Sequence, residues 1–165
     1  MANITSAKTV VGNSIAINSG DIKVRILSVR AIDIANAGTY ATDDTATFQI
    51  PVKAGEVVVD VGAKLIEAFD GSGDQLNMIA GALADPNGFL VTCALHESQT
   101  EITAIVRNTG AFFNDSTTDD VINGKQFDAD DTIDFVFDGS AGAAIDLNDL
   151  DTGEVLLKVF YIDYN

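Results

Sequence analysis

The sequence predicts an all-β fold, an antiparallel β-sandwich or jelly-roll-like single domain with an N-terminal arm. Three observations predict it. About eight to ten stretches alternate apolar and polar residues with a period of two, the spacing of strands with one face in a core. Turns rich in Gly, Asp and Asn separate them at short intervals. No stretch carries the periodicity of a long amphipathic helix, and no internal repeat points to a β-solenoid. A chain of 165 residues is expected to form one domain, with the arm over 1–20 and the sandwich over 21–165. That length supports a core without staples, and Cys93, the single cysteine, allows no disulfide within the chain.

The arm is rich in Ala, Asn, Ser, Thr and Gly, with Val10, Val11, Ile15 and Ile17 scattered through it and a short strand expected near Ser14–Asn18. A strand over 22–33 follows. Its apolar set changes parity, from Ile22, Val24 and Ile26 to Leu27, Val29 and Ala31, which predicts a bulge near Ile26 and Leu27. A long hairpin then organises the chain. Ala46, Phe48, Ile50 and Val52 alternate in a strand over 45–52, Lys53, Ala54 and Gly55 turn it, and Val57, Val59, Val61, Ala63, Leu65 and Phe69 alternate over 56–69. Leu76, Met78 and Ala80 mark a strand over 75–80, and Asp85-Pro86-Asn87-Gly88 reads as a turn. Strands are expected over 89–96, with Phe89, Val91, Cys93 and Leu95 on one face, and over 101–107 and 132–138. The last strand, 154–163, is apolar on both faces and therefore suits the middle of a sheet. Val59, Val61, Leu65, Phe89, Val91, Phe135 and Phe137 are the expected core.

Composition narrows the function. With 25 acidic residues against 9 basic and a net charge of −16, the surface repels phosphate backbones, so no nucleic-acid partner is expected. No run is long and apolar enough for a membrane-spanning helix, and no secretory signal is seen behind Lys8. His96 is the only histidine and Cys93 shares parity with core residues, so a nucleophilic site built on the two is disfavoured. Two acid clusters, Asp128 to Asp134 and Asp146 to Glu154, have the oxygen ligands that calcium uses. Leu150 nevertheless stands where an EF-hand loop needs a ligand, and Asp and Asn are ordinary turn residues, so no metal and no cofactor is expected. A glycosidase pair is uninformative among so many acids, and the chain lacks Trp. An enzyme is the least favoured reading.

Ile50-Pro51-Val52, then Ala54-Gly55, then Val57-Val58-Val59-Asp60-Val61, then Glu67-Ala68-Phe69-Asp70-Gly71 form one pattern. Asp85-Pro86-Asn87-Gly88-Phe89 and a closing strand through Tyr161 and Tyr164 extend it. It resembles small β-rich structural proteins of tailed bacteriophage virions, over roughly Ala46–Leu95 and the final strand. The resemblance implies a non-enzymatic protein of the head's outer surface, made in the host cytoplasm. It implies a decoration or cement protein that clamps the major capsid protein and sister subunits, often as a homotrimer. A receptor- or carbohydrate-binding module of a spike, fibre or tail is the alternative. No catalytic residue carries over.

A protein of this kind acts through surfaces. Val10, Val11, Ile15 and Ile17 are poorly used on a free arm, and Phe112 and Phe113 are adjacent rings in a polar segment. These six residues are the expected contacts to sister subunits or capsid.

Overall fold

The structure is a computed structural model and describes residues 14–19, 22–37, 45–71, 76–82, 85–95, 105–107, 110–114, 124–139 and 146–163. Its strands are β1 (Ser14–Ser19), β2 (Ile22–Arg30), β3 (Thr45–Val52), β4 (Glu56–Asp70), β5 (Asn77–Ala82), β6 (Asp85–Ala94), β7 (Ile105–Arg107), β8 (Lys125–Gln126), β9 (Asp131–Asp138) and β10 (Thr152–Asp163). Two short helices interrupt them, α1 (Ala31–Ala35) and α2 (Ala111–Asn114).

The fold is an all-β antiparallel sandwich. The larger sheet runs β1-β2-β10-β4-β7, with β8 also paired to β4, and the smaller runs β3-β9-β5-β6. Pairs nest along the chain: β5 with β6, β4 with β7, β3 with β9 and β2 with β10. Strand β10 lies between β2 and β4, as its two apolar faces imply. The two prolines, Pro51 on β3 and Pro86 on β6, sit on the edges of the smaller sheet, where a missing N–H costs no ladder bond.

The inner faces form the core. Ala46, Ile50, Met78, Ala80, Ile133, Phe135 and Phe137 line the smaller sheet, and Val29, Val61, Ala63, Leu65, Val155, Leu157 and Val159 line the larger. Phe69 of β4 meets Phe137 of β9 across the layers at 6.2 Å between ring centroids. Gly153 is fitted to that contact: its φ is +131°, and a Cβ there would lie 2.4 Å from the Phe69 ring.

Several sequence expectations are corrected. The strand expected over 22–33 ends at Arg30, because Ala31–Ala35 turns into α1. Asp33 accepts the Arg30 N–H at 3.0 Å and closes the first turn, while Ala31 and Ile34 are buried. No bulge occurs at Ile26 and Leu27, since β2 pairs with β10 in continuous register. The parity change is real and leaves Ile22, Val24 and Ile26 on the outer face. Val59 is only half-buried. Phe160 pairs with Asp60 and Tyr161 with Val58, so Val59 is the extra residue of a bulge and Val58 enters the core instead. Val91 is 41% exposed, because a register shift falls between the Met78–Cys93 and Ala80–Leu90 pairs. The turn expected over Asp85–Gly88 belongs to β6, and Asp85 already pairs with Ala82. Residues 101–104 of the strand expected over 101–107 lie outside the described residues.

Candidate interaction surface

The parity change in β2 places Lys23 and Arg25 on the inner side of one end of the large sheet. Arg25 donates two bonds of 2.7 Å to Glu56 and lies 3.8 Å from the centroid of the Tyr161 ring. Glu56 is 4% exposed and also accepts the Lys53 N–H at 2.8 Å. Lys23 reaches Asp163 at 2.8 Å, and that bond raises its pKa. Burial raises the pKa of Tyr161. The cluster ties together the ends of β2, β4 and β10. Every charge in it has a partner, so it closes the core rather than offering a reactive group.

Helix α2 docks on β6. The Phe112 ring is half-buried, 4.8 Å from Phe89 and edge-on to it. The Lys125 ammonium lies 4.3 Å from the Phe112 centroid, and Phe127 stacks on Phe89 at 6.5 Å. Gly88 makes the seat, since a Cβ there would meet the Phe112 ring at 2.2 Å. The Gly110 N–H donates to the Phe89 carbonyl at 3.0 Å, which fixes the approach of the segment. Gly88→Ala is expected to unseat the ring and cost about 1–3 kcal/mol, read as a lower midpoint in urea. The same change made on Phe112→Ala should cost much less, because the clashing ring is gone.

The outer face of β2 and β10 is apolar. Val24 pairs with Phe160, Ile22 with Ile162 and Ser28 with Leu156. Val24, Ile26, Leu156, Phe160 and Ile162 are half-buried, and Ile22 is 45% exposed. Lys158 stands among them opposite Ile26 and Gly62, and Lys64 pairs with Leu156 on the same side.

The candidates for chemistry are placed elsewhere. Cys93 is buried, and burial pushes its thiol up to about 11, which makes it a poor nucleophile at neutral pH. His96 lies outside the described residues. Among the described residues no three His, Cys, Asp or Glu side chains are grouped to hold a metal. The acids of the two clusters serve local structure. Asp130 bonds Lys53 at 2.6 Å and the Ala54 N–H at 3.1 Å, and Asp134 accepts from Thr132 at 2.6 Å. Asp146 caps the 3-10 turn over Leu147–Asp149 through the Asn148 N–H at 2.9 Å, and Glu154 accepts from Ser28 at 2.8 Å. Asp149 and Asp151 are exposed and line one open hollow with Gly71 and Asn148.

Of the six contact residues expected from the sequence, Val10 and Val11 lie outside the described residues. Ile15 and Ile17 fall in β1, in register with Ile26 and Val24, so the expected short strand is present and flanks the apolar face. Phe112 packs on its own chain, which its adjacency to Phe113 did not reveal. The Phe113 side chain lies outside the described residues. The outer face itself was missed. Its signal was present as the apolar set on both parities of β2 and β10, read for β2 as a bulge.

No protein-family model matches the chain, and a search of curated proteins finds no match. Among solved structures, a chain of the capsid asymmetric unit of cyanophage Pam1 is similar over 98% of this chain and 94% of its own, with a TM-score of 0.56 at 15% identity. A chain of the acid-stable capsid of Helicobacter pylori bacteriophage KHP30 aligns over 82% of this chain and 93% of its own, with a TM-score of 0.46 at 11% identity. The Pam1 likeness is one of fold.

Proposed function

We propose that this chain is a non-enzymatic structural protein of a bacteriophage virion, and that it decorates the outside of the head as a cement protein. The observation that carries the reading is the nearly end-to-end likeness of fold to a chain from the capsid of cyanophage Pam1. The virion resemblance in the central hairpin and the final strand supports it independently of that likeness. The partners proposed are the major capsid protein and sister subunits, in a homotrimer. The contacts proposed are the arm, through Val10, Val11, Ile15 and Ile17, and the segment around Phe112 and Phe113.

The experiment is removal and return. Particles made without this chain should lose infectivity on heating at a lower temperature, and the added protein should bind them and restore resistance. A chain shortened by residues 1–13 keeps β1 and is expected to fold but bind particles weakly. Particles equally heat-resistant with and without the chain would contradict the cement role.

A further inference from the structure

The Asp85-Pro86-Asn87-Gly88 stretch, which reads as a turn, is the crest of a bulge in β6. Ala80 of β5 faces Leu90 and Ala82 faces Asp85, so four residues, 86–89, stand against Gly81 alone. Regular pairing with β5 therefore does not hold the crest in flat strand geometry. Asn87 is exposed, and Gly88 beside it is buried under the Phe112 ring. The proposed function leaves this Asn-Gly pair unused.

Asn followed by Gly is the pairing most open to attack by the chain on its own side chain, because glycine puts no Cβ beside the attacking nitrogen. The Gly88 nitrogen bonds to Asn87 Cγ and gives up its proton. The Cγ–Nδ2 bond breaks, and ammonia leaves behind a succinimide ring. Water then opens the ring at one of its two carbonyls. Cleavage between the Gly88 nitrogen and Cγ leaves aspartate. Cleavage of the former backbone bond leaves isoaspartate, whose main chain runs through Cγ and is one carbon longer. Water and base are the only reagents.

Ring closure needs rotation about the Asn87 Cα–C bond, which swings the Asn87 carbonyl and the Gly88 nitrogen together. The segment 110–114, which contains α2, stands in the way. A Cβ on Gly110 would run into the carbonyl oxygens of Asn87 and Gly88, so the backbone of Gly110 lies directly against them. The Gly110 N–H donates to the Phe89 carbonyl at 3.0 Å, and the Phe112 ring covers Gly88. The Lys125 ammonium lies 4.3 Å from the centroid of that ring. We propose that Asn87 is a site of spontaneous deamidation guarded by α2. The carboxamide persists while Phe112 is seated and is lost through the succinimide when the segment lifts. The step is one-way, because isoaspartate lengthens the crest beneath the ring and keeps it from reseating. The inference does not rest on the virion reading and is read on the isolated protein.

The test is peptide mapping by mass spectrometry of the folded protein held at mildly alkaline pH, with Asn87 resolved from the second Asn-Gly pair at Asn123. The parent should keep the Asn87 carboxamide far longer than the same protein held in urea. Phe112→Ala, checked for the parent's circular dichroism, should deamidate at Asn87 roughly tenfold faster or more, because the rate follows the fraction of molecules with the segment lifted. Lys125→Gln takes only the ammonium from the ring and should give a smaller increase. It carries the test if Phe112→Ala does not fold. Parent converted to isoaspartate in urea, separated and refolded should exchange the Gly110 N–H faster than unmodified protein carried through the same steps. A folded parent that deamidates at Asn87 as fast as in urea overturns the proposal. So do equal Asn87 rates in the parent and the folded variants. Unchanged exchange at Gly110 in the isoaspartate form overturns the one-way step.

Discussion

Replacing Phe135 with alanine is expected to destabilise the protein by about 3–5 kcal/mol. Phe135 is fully buried at the middle of β9, paired with Phe48 on one side and Ala80 on the other. Phe137, two residues on, is held between Phe48, edge-on at 5.6 Å, and Phe69 of the opposite sheet. Removing the Phe135 ring takes apolar area out of the core and leaves a cavity that two hydrogen-bonded neighbours keep from collapsing. That is a large fraction of a marginal domain's stability. Chemical denaturation followed by tyrosine fluorescence and circular dichroism reads the change as a lower midpoint at similar slope. A shift within about 0.5 kcal/mol, the range of surface sites, would show that β9 faces the other way.

Arg25→Ala is the second large effect. The Arg25 guanidinium holds Glu56 by two bonds of 2.7 Å, with side-chain exposures of 17% and 5%. Removing it leaves the buried Glu56 carboxylate without its cation, with, among the described residues, only the Lys53 N–H still donating to it. Breaking a buried pair in this way costs about 3–5 kcal/mol, and the residual exposure of Arg25 puts the expectation at the lower end. Arg25→Met combined with Glu56→Leu should recover much of the loss, because no charge is then stranded. If Arg25→Ala alone melts with the parent, the cluster does not hold the strand ends together.

The sandwich was legible because regular alternation survives wherever the ladder is regular. Strand β3 spans 45–52 as its alternation indicated, and Leu76, Met78 and Ala80 are all buried as their spacing required. Alternation fails where a ladder gains a residue. Val59 and Val91 lost their places in the core to register shifts that no residue type announces. In β2 the opposite happened, and a real change of face was read as a bulge. Each half of that strand meets something different: Leu27 and Val29 meet the core, while Lys23 and Arg25 meet Glu56, Tyr161 and Asp163. Those partners are 31 to 140 residues away along the chain. Separation along the chain likewise hid the seat of Phe112, which depends on Gly88 having no side chain. Sequence reasoning marked Phe112 as misplaced apolar surface, and only the fold shows the ring against Phe89.

The most direct test of the virion reading is quantitative mass spectrometry of particles purified by density gradient from cells that make this protein. The account predicts that the chain travels with the particles in a fixed ratio to the shell protein and remains after washing. A chain that stays in the soluble fraction, and is absent from intact particles, would contradict it.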